Sequence, residues 1–306
     1  MTSIEHTPVL LKEVISLLDP KPNENFIDAT FGLGGHSLTI LDKNGPKGKV
    51  LGIEADLNVI KNLKLKIRNY AGRLILVNDN FANLKKIVEK QKFKPVSGIL
   101  MDLGISSWHL DKSGRGFTFL KNEPLNMKIQ SPKPELQNSE NDLTAERIVN
   151  DWQEADLEKI FREYGQERFS KNIAKNICKF RKAKPIKTTF QLSEIIRKSV
   201  PTGYEKGRIN PATRVFLALR IVVNRELENL TKTLPQAMAI LAKNGKLAVI
   251  SFNSLEDRLV KNFFKETAAQ GIIKILTKKP ITPSLQELKI NPRSRSAKLR
   301  AALKIS

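Results

Sequence analysis

The sequence predicts an α/β protein in which a parallel sheet is interrupted by a helical insertion. Strand-like segments alternate with helical patterns in the first third of the chain, and such alternation is typical of parallel sheets. The seven strand-like segments are 25–31, 49–54, 74–77, 96–102, 246–252, 272–276 and 296–303. The simplest topology is one α/β domain over 1–106 and 207–306, split by a helical domain over 107–206.

The predicted insertion begins with a loop and continues as helices. Residues 111–142 are rich in Gly, Pro, Asn and Ser, which is typical of a loop. Apolar residues then recur at helical spacing near 143–164, 169–180 and 192–199. No further strand pattern appears before 246. After its initial loop, the insertion is therefore expected to be helical.

The composition indicates a globular protein with an anionic partner. Hydrophobic residues make up 40% of the 306 residues, which is enough for a core, and the formal net charge is +22. An excess of positive charge that large is relieved by a polyanion, of which nucleic acid is the commonest. A Lys-rich coding bias is the alternative explanation, so the placement of the charges matters more than their sum.

Cysteine and histidine counts exclude several site types. The single cysteine, Cys178, cannot form an intramolecular disulfide, and the three histidines are too far apart in sequence to suggest a metal cluster. No apolar run approaches the roughly 20 residues that span a bilayer, and the N-terminus lacks a basic targeting pattern. We therefore expect a cytoplasmic protein without a membrane or metal partner.

A glycine-rich turn follows the first predicted strand. Asp28 ends that strand, and glycines follow at Gly32, Gly34 and Gly35. Such a turn lets the backbone approach a ligand at the start of a helix. The dinucleotide fingerprint needs a third glycine at position 37, where this chain has Ser37. The spacing instead resembles the first motif of S-adenosylmethionine methyltransferases.

Further candidate ligands end the neighbouring strands. Glu54 lies about 20 residues beyond the turn, where a carboxylate accepts both hydroxyls of a ribose. Asp102 ends the fourth strand and can hydrogen-bond an adenine amine or the substrate, and Phe81 can stack on adenine. Together they predict a nucleoside cofactor. These features separate S-adenosylmethionine from NAD only in part, so an NAD-linked oxidoreductase stays as an alternative.

Two basic blocks predict an RNA-binding surface. Residues 168–193 contain eight Lys or Arg and no acidic residue, and Lys171, Lys175 and Lys179 form one stripe of a helix. Phe169, Ile173, Ile177 and Phe180 are expected to form its apolar face. The second block lies at 289–304. The predicted RNA-binding residues are Lys171, Lys175, Lys179, Arg181, Lys182, Arg214, Arg293 and Arg295.

Two classes of base methylation are disfavoured. Methylation at cytosine carbon-5 needs a thiolate nucleophile, but Cys178 is predicted to be a core residue on the inner side of the basic helix. The Pro-Pro-aromatic motif of many amino-methylating enzymes is also absent from the sequence. The fourth strand leads instead into Asp102-Leu103-Gly104-Ile105-Ser106-Ser107.

Eight short motifs are distributed along almost the whole chain. They are His6-Thr7-Pro8-Val9-Leu10-Leu11, Thr30-Phe31-Gly32-Leu33-Gly34-Gly35-His36-Ser37, Asp102-Leu103-Gly104-Ile105-Ser106-Ser107, Arg115-Gly116-Phe117-Thr118-Phe119, Tyr164-Gly165-Gln166-Glu167-Arg168-Phe169, Pro211-Ala212-Thr213-Arg214, Ser251-Phe252-Asn253-Ser254-Leu255-Glu256-Asp257-Arg258 and Asn291-Pro292-Arg293-Ser294-Arg295-Ser296. Together they resemble the bacterial 16S ribosomal RNA cytosine-N4 methyltransferase family, of MraW type, and they occur in the family's order.

The resemblance implies a Rossmann-like class I methyltransferase domain with an inserted helical domain. It implies an S-adenosylmethionine-dependent enzyme that methylates the N4 amine of one cytosine in the decoding centre of 16S ribosomal RNA, within the small ribosomal subunit. The family's cofactor positions fall on Gly34, Gly35, His36, Glu54, Phe81, Asp102 and His109. The oligomeric state, monomer or homodimer, is left open.

The chain departs from the family pattern at three places. Glu54 replaces an aspartate, and 125–130 lacks two carboxylates and a guanidinium. Asn253 replaces a histidine, and an amide cannot take a proton from an amine.

We expect direct displacement at the sulfonium methyl, with Asp102, Ser106 and Asn253 accepting hydrogen bonds from the amine. The loop at 111–130 is expected to close over the base. The departures leave one alternative open, a catalytically weakened relative that binds RNA in ribosome assembly.

Overall fold

The computed structural model describes residues 7–63, 67–130, 143–204 and 209–306. The chain divides into two compact units. The first comprises Met1–Gly104 and Leu227–Ser306, and the second comprises Ile105–Glu226. The predicted boundary at 206 is wrong by about one helix, because residues 207–226 belong to the helical unit.

The first unit alternates strands and helices along the chain. Its strands are β1 (Phe26–Asp28), β2 (Val50–Glu54), β3 (Leu74–Asn78), β4 (Gly98–Asp102), β5 (Lys246–Ser251), β6 (Ile273–Ile275) and β7 (Lys298–Lys304). Its helices are α1 (Leu11–Leu18), α2 (Gly35–Lys43), α3 (Leu57–Leu63), α4 (Leu84–Lys90), α11 (Glu226–Ile240), α12 (Ser254–Ala269) and α13 (Leu285–Ile290). Short 3₁₀ helices lie at Arg68–Tyr70, Phe81–Asn83 and Pro292–Ser296.

The seven strands form a single sheet in the order β3-β2-β1-β4-β5-β7-β6. The first five are parallel, whereas β7 is antiparallel to both β5 and β6. The order reverses between β1 and β4, which is where open α/β sheets bind ligands. The predicted α/β fold with a mostly parallel sheet is confirmed, and the order is Rossmann-like.

Apolar clusters cover both faces of this sheet, because alternate strand residues point to opposite faces. One cluster packs residues such as Ile99 and Val249 against α4, α11 and α12. The other packs Leu100 and Ile250 against α1 and α2. The strands are therefore buried on both sides, which explains why they read as nearly continuous apolar runs.

The predicted strands are confirmed, with shifted ends. The first is shorter than expected, because the chain leaves the sheet at Asp28 to form the glycine turn.

The second unit is helical. Its helices are α5 (Ser107–Asp111), α6 (Ala145–Asp151), α7 (Glu154–Glu163), α8 (Ser170–Arg181), α9 (Thr189–Lys198) and α10 (Ala212–Asn224). Thr188 begins α9 with a capping box, in which its hydroxyl accepts from the Gln191 backbone N–H and the Gln191 side chain accepts in return. The predicted helix at 143–164 is two helices, separated near Trp152.

A buried core explains why α10 belongs to this unit. Its apolar stripe, which includes Val215, Phe216 and Leu219, packs with α6, α7 and α9 in one cluster. The sequence shows this stripe at helical spacing, but spacing alone does not indicate which core a helix joins.

The loop that was expected to close over a base is tied down within its own unit. Glu123 accepts from the Gly116 N–H at 2.9 Å, and Met127 N–H donates to the Arg115 carbonyl at 2.7 Å. Leu125 and Met127 are buried. The described part, 111–130, is therefore anchored within its unit by hydrogen bonds and buried side chains, and its closure over a base stays a prediction. The remaining predicted loop residues, 131–142, lie outside the described residues.

No helix in the described parts of the chain combines the length and the apolar character that a membrane crossing requires.

A buried ion pair joins α12 to β7 and supplies a stability test. Arg300 Nε donates to Asp257 Oδ1 at 2.6 Å, and both side chains are nearly buried. We expect Asp257→Asn to lower the free energy of unfolding by about 3 kcal/mol, since it leaves a buried guanidinium without its counter-charge. Urea unfolding measures this. Glu228→Gln, which breaks an exposed pair with Lys232, should cost less than about 1 kcal/mol, and equal losses would contradict the expectation.

Candidate active site

The turn after β1 has a backbone that few residues other than glycine adopt. Gly32 and Gly34 have φ values of +53° and +80°. Gly35 begins α2, and a Cβ there would lie 2.2 Å from Pro8 Cγ. The first two glycines are therefore required by conformation, and the third by close packing of the N-terminal segment.

Asp28 connects this turn to α2. Its Oδ1 accepts from the Thr30 N–H at 3.2 Å, and its Oδ2 accepts from the Ser37 hydroxyl at 2.6 Å. Burial raises the pKa of Asp28 to about 6. Ser37 is fully buried, so the residue that breaks the dinucleotide fingerprint holds the aspartate at the start of the helix.

Glu54, at the end of β2, is held by two backbone donors. Its Oε2 accepts from the Gly32 N–H at 2.9 Å, and its Oε1 accepts from the Asp56 N–H at 2.8 Å. Burial raises the pKa of Glu54 to about 7. Each carboxylate oxygen can accept a second hydrogen bond, so this arrangement fits ribose hydroxyls while the longer side chain is fixed against the turn.

Asp102, at the end of β4, has one oxygen without a hydrogen bond. Its backbone N–H donates to Thr30 Oγ1 at 2.6 Å. Oδ1 is buried and has no hydrogen-bond partner among the described residues. Burial is the main cause that raises the pKa of Asp102 to about 7, and the charges of Asp28 and Glu256 add to it. A buried acceptor without a partner indicates a ligand that donates to it.

His36 faces Asp102 from the first turn of α2. Its Nδ1 lies 3.9 Å from Asp102 Oδ2, and its Nε2 lies 2.9 Å from the Val9 carbonyl oxygen. A carbonyl only accepts, so Nε2 carries the proton in this contact. The structure therefore brings His36 and Asp102 together, as the family resemblance implied.

Phe81 lies after β3 at the start of a 3₁₀ turn. It packs, partly buried, on the core cluster of the first unit, and its carbonyl accepts from Thr233 Oγ1 at 3.3 Å. Six of the seven predicted cofactor positions thus lie at the carboxyl edge of the sheet. Gly34, Gly35 and His36 follow β1, Glu54 and Asp102 end β2 and β4, and Phe81 follows β3.

Ser106 and His109 belong to the second unit, where they contact each other. Ser106 is the N-cap of α5, and its hydroxyl lies 2.8 Å from His109 Nδ1. The His109 ring is buried and packs edge-on against Trp108 and Phe117. A serine before a helix is a recognisable N-cap, but the contact between Ser106 and His109 was not predicted.

Asn253 has a capping role that the sequence analysis did not predict. Its Oδ1 accepts from the backbone N–H groups of Leu255 and Glu256, both at 3.0 Å, as the N-cap of α12. The oxygen that was expected to accept from an amine is therefore occupied by the helix. The Asn-x-x-Glu spacing of a capping box is visible in the sequence and is the signal for this role.

The basic residues of the second unit divide into exposed and structural ones. Lys171, Lys175, Lys179 and Lys182 are exposed. In contrast, Arg181 donates to the Val149 carbonyl at 2.9 Å. The expectation that Phe180 faces the core is wrong, because it is 39% exposed. The helix is too near its end at this position for the core to cover the ring.

Arg214 is held by two residues of its own unit. Its guanidinium donates to the Tyr204 hydroxyl at 2.8 Å, and that hydroxyl donates to Glu167 Oε1 at 2.9 Å. The Arg214 side chain keeps 27% exposure, so it is anchored and still accessible.

In the first unit, Arg293 and Arg295 are exposed. Arg300, which the sequence grouped with them, is buried against Asp257 and does not contribute to a basic surface.

The described residues fit a nucleoside cofactor with an amino-acid end. Three features support the fit. The glycines of the turn have left-handed backbones, the Glu54 carboxylate ends the neighbouring strand, and one Asp102 oxygen is unpaired. Within the same residues, no group of three or more His, Cys, Asp or Glu side chains is arranged to hold a metal ion.

The sheet order and this edge define the class of the protein, a Rossmann-like class I methyltransferase. The sequence as a whole then identifies the family. A model of the MraW methylase family matches residues 3–305, and the chain belongs to that family. S-adenosylmethionine is accordingly its methyl donor.

Named relatives are similar over nearly their whole length. The chain is 43% identical to a "Ribosomal RNA small subunit methyltransferase H" of Heliobacterium mobile, over 98% of this chain and 99% of the relative. It is also 43% identical to a protein of the same name from Sulfurihydrogenibium, over 99% and 100% of the two chains. Among solved structures, an rRNA methylase from Streptococcus thermophilus is 10% identical, with a TM-score of 0.45 over 99% and 100% of the chains.

The raised pKa of Asp102 predicts how stability depends on pH. Below its unfolded pKa near 3.8 the group is protonated in both states, and between 3.8 and about 7 only the folded state keeps the proton. Stability therefore falls as pH rises through this window. Asp102→Asn cannot ionise, so we expect the variant to be more stable than the parent at pH 8 and equal to it near pH 4.

The Asp102 side chain keeps 21% exposure, so the gain at pH 8 should be about 1–3 kcal/mol rather than the full value of the shift. Urea unfolding at both pH values measures it. The control is Asp151→Asn, at an exposed position of α6. It should change stability by less than about 0.5 kcal/mol. A destabilised Asp102→Asn at pH 8 would argue that the carboxylate is ionised and stabilising.

Proposed function

We propose that this methyltransferase transfers a methyl group to the N4 amine of one cytosine in the decoding centre of 16S ribosomal RNA, on the small ribosomal subunit. The observation that carries the proposal is the unpaired, buried Oδ1 of Asp102 beside the glycine turn. A neutral exocyclic amine is a donor that such an oxygen accepts. The names of the relatives support ribosomal RNA of the small subunit as the substrate.

The cofactor supplies an electrophilic methyl group on a positively charged sulfur. The amine nitrogen would form the new bond to that carbon while the carbon–sulfur bond breaks and its electrons stay on sulfur. One amine proton would pass to the ionised Asp102 carboxylate or to water. The lone pair of the amine is delocalised into the ring, so the protein must hold the amine in line and accept hydrogen bonds from it. Asp102, with its pKa raised to about 7, is placed to do both.

Gly34, Gly35, His36, Glu54 and Phe81 are proposed to bind the cofactor in the first unit. We retain Ser106 as a candidate to hold the amine and His109 as a candidate cofactor ligand, as the resemblance implied. Asn253 no longer stands as an acceptor, because α12 occupies its oxygen. The target base must leave its stack to reach these groups.

The proposed RNA contacts are the exposed lysines of α8, with Arg214, Arg293 and Arg295. Lys171, Lys175 and Lys179 lie on one stripe, opposite the buried Ile173 and Ile177. Like charges at this spacing destabilise a helix, and phosphate groups would offset that cost. Arg181 has a structural bond and is the weakest member of the predicted set.

A second candidate function is RNA binding without efficient catalysis. It is favoured by the loss of two carboxylates and a guanidinium at 125–130 and by the occupied oxygen of Asn253. Cofactor binding without methyl transfer would support it.

The decisive experiment maps transferred label. We expect purified protein, radiolabelled S-adenosylmethionine and small subunits that lack the modification to give label on one decoding-centre cytosine amine. Asp102→Asn should lower kcat/KM at least about 100-fold, since it removes a charged acceptor from the amine. No label together with tight cofactor binding by calorimetry would favour the RNA-binding alternative. An unchanged kcat/KM and cofactor affinity in Asp102→Asn would refute the mechanism.

The basic stripe of α8 has a matched test. We expect Lys171→Ala, Lys175→Ala and Lys179→Ala together to weaken binding to the small subunit about 10- to 100-fold and to lower the salt slope by about 2–3, because fewer counterions are released. The control removes three charges at exposed positions of α4, by Lys85→Ala, Lys86→Ala and Lys90→Ala. Filter binding at several salt concentrations measures both, and equal losses would mean that only net charge matters.

A further inference from the structure

The side-chain amide of Asn253 is fixed in one orientation. Its Oδ1 accepts from two backbone N–H groups of α12, those of Leu255 and Glu256. Glu256 Oε2 accepts in return from the backbone N–H groups of Phe252 and Asn253, at 2.8 and 3.3 Å. Turning the amide over would direct its NH₂ group at two donors, which the capping box excludes. The atom that Asn253 presents to its other side is therefore always the donor Nδ2.

That donor is buried and has no hydrogen-bond partner among the described residues. The same holds for the hydroxyl of Ser251, a residue that is only 1% exposed, and for Oδ1 of Asp102. Buried polar atoms in native proteins are nearly always paired. Asp102 shares a face of the sheet with Ile250, so the next residue, Ser251, points to the other face. The unpaired Asp102 Oδ1 and Asn253 Nδ2 are therefore the two atoms that a single polar ligand would complete.

The sheet places these atoms on adjoining elements. Asp102 of β4 pairs in register with Ile250 of β5, one residue before Ser251. Phe252 then lies across Gly104, where a Cβ would be only 2.8 Å from the ring. The turn from β5 into α12 is thus packed directly on the end of β4. Glu256, the partner of Asn253 in the capping box, is near enough for its charge to raise the pKa of Asp102.

The unpaired atoms differ in kind, and the difference matches one base. Asp102 offers an acceptor and Asn253 offers a donor. Cytosine has a donor at its N4 amine and an acceptor at the adjacent ring N3. Uracil has the reverse order, an acceptor at O4 and a donor at N3. A ligand that meets this acceptor and this fixed donor on its two adjacent groups is therefore cytosine, whereas uracil would leave both groups unpaired.

We propose that Asn253 reads the target base, with its Nδ2 donating to ring N3 of cytosine while Asp102 accepts from the N4 amine. This assignment rests on the function proposed above. It makes Asn253 a specificity-determining residue rather than a proton acceptor. It requires no proton transfer to the amide, so the replacement of a histidine at this position is compatible with activity.

The test combines a change in the protein with a change in the base. Asn253→Ser keeps an N-cap oxygen but has no amide donor, and its side chain is too short to replace Nδ2. The substrates are small subunits assembled with 16S ribosomal RNA that carries either cytidine or 3-deazacytidine at the target position. The analogue keeps the amine and has a C–H group in place of N3. The measured quantity is the ratio of kcat/KM for the two substrates, determined separately for each protein.

In the parent protein we expect the analogue to lower kcat/KM about 10- to 100-fold, since it leaves a buried donor unpaired. In Asn253→Ser we expect this ratio to be about 10- to 100-fold smaller than in the parent protein. The intrinsic effect of the analogue on the amine is common to both proteins, so it cancels when their ratios are compared. The control is Thr188→Ser, which alters the other capping box of the chain, that of α9. It should keep the ratio of the parent protein.

Equal ratios in the parent protein and Asn253→Ser would overturn the inference and leave Asn253 with a capping role alone. The thermal midpoint of unfolding separates the capping role from base recognition. Asn253→Ala should lower the midpoint, whereas Asn253→Ser should preserve it. A parent protein that methylates a cytosine amine but shows equal ratios contradicts only this inference. A parent protein that methylates no cytosine amine contradicts the proposed function as well.

Discussion

The glycine turn after β1 is held in place by buried carboxylates, and the rest of the site depends on that arrangement. Glu54 accepts from the Gly32 N–H, and Asp28 accepts from Thr30 and from the Ser37 hydroxyl. Burying these acids is unfavourable, as their raised pKa values show. Backbone and hydroxyl donors offset part of that cost. The same bonds that shape the turn thus leave the carboxylates preorganised at the carboxyl edge of the sheet.

The edge also contains polar atoms that the fold does not satisfy. Asp102 Oδ1, Ser251 Oγ and Asn253 Nδ2 are buried without partners among the described residues. In Asp102 and Asn253, another group of the same residue is hydrogen-bonded within the fold. These groups are the Asp102 backbone N–H and the Asn253 side-chain oxygen. Side chains whose orientation is fixed by one set of bonds present the remaining atoms at little further entropic cost. Stability is lost at this edge, because these buried atoms lack the hydrogen bonds that they make to water in the unfolded chain.

The positive charge of the chain has two different uses. Exposed lysines lie on the outer side of α8, whose inner side joins the helical core. These lysines are the charges available to an anionic partner. Arg300 and Arg181 instead bond to a carboxylate and a carbonyl within the fold. Net charge therefore overstates the basic surface, and only the positions of the side chains separate surface charge from structural charge.

The sequence by itself determined the order of strands and helices, the glycine turn and the carboxylates at strand ends, because these depend on residues that are close along the chain. It did not determine which core α10 joins, that Phe180 is exposed, or that Arg300 pairs with Asp257, 43 positions away. It also pointed to the wrong atom of Asn253. The direction of an amide depends on which of its atoms the helix engages, and only the tertiary structure decides that.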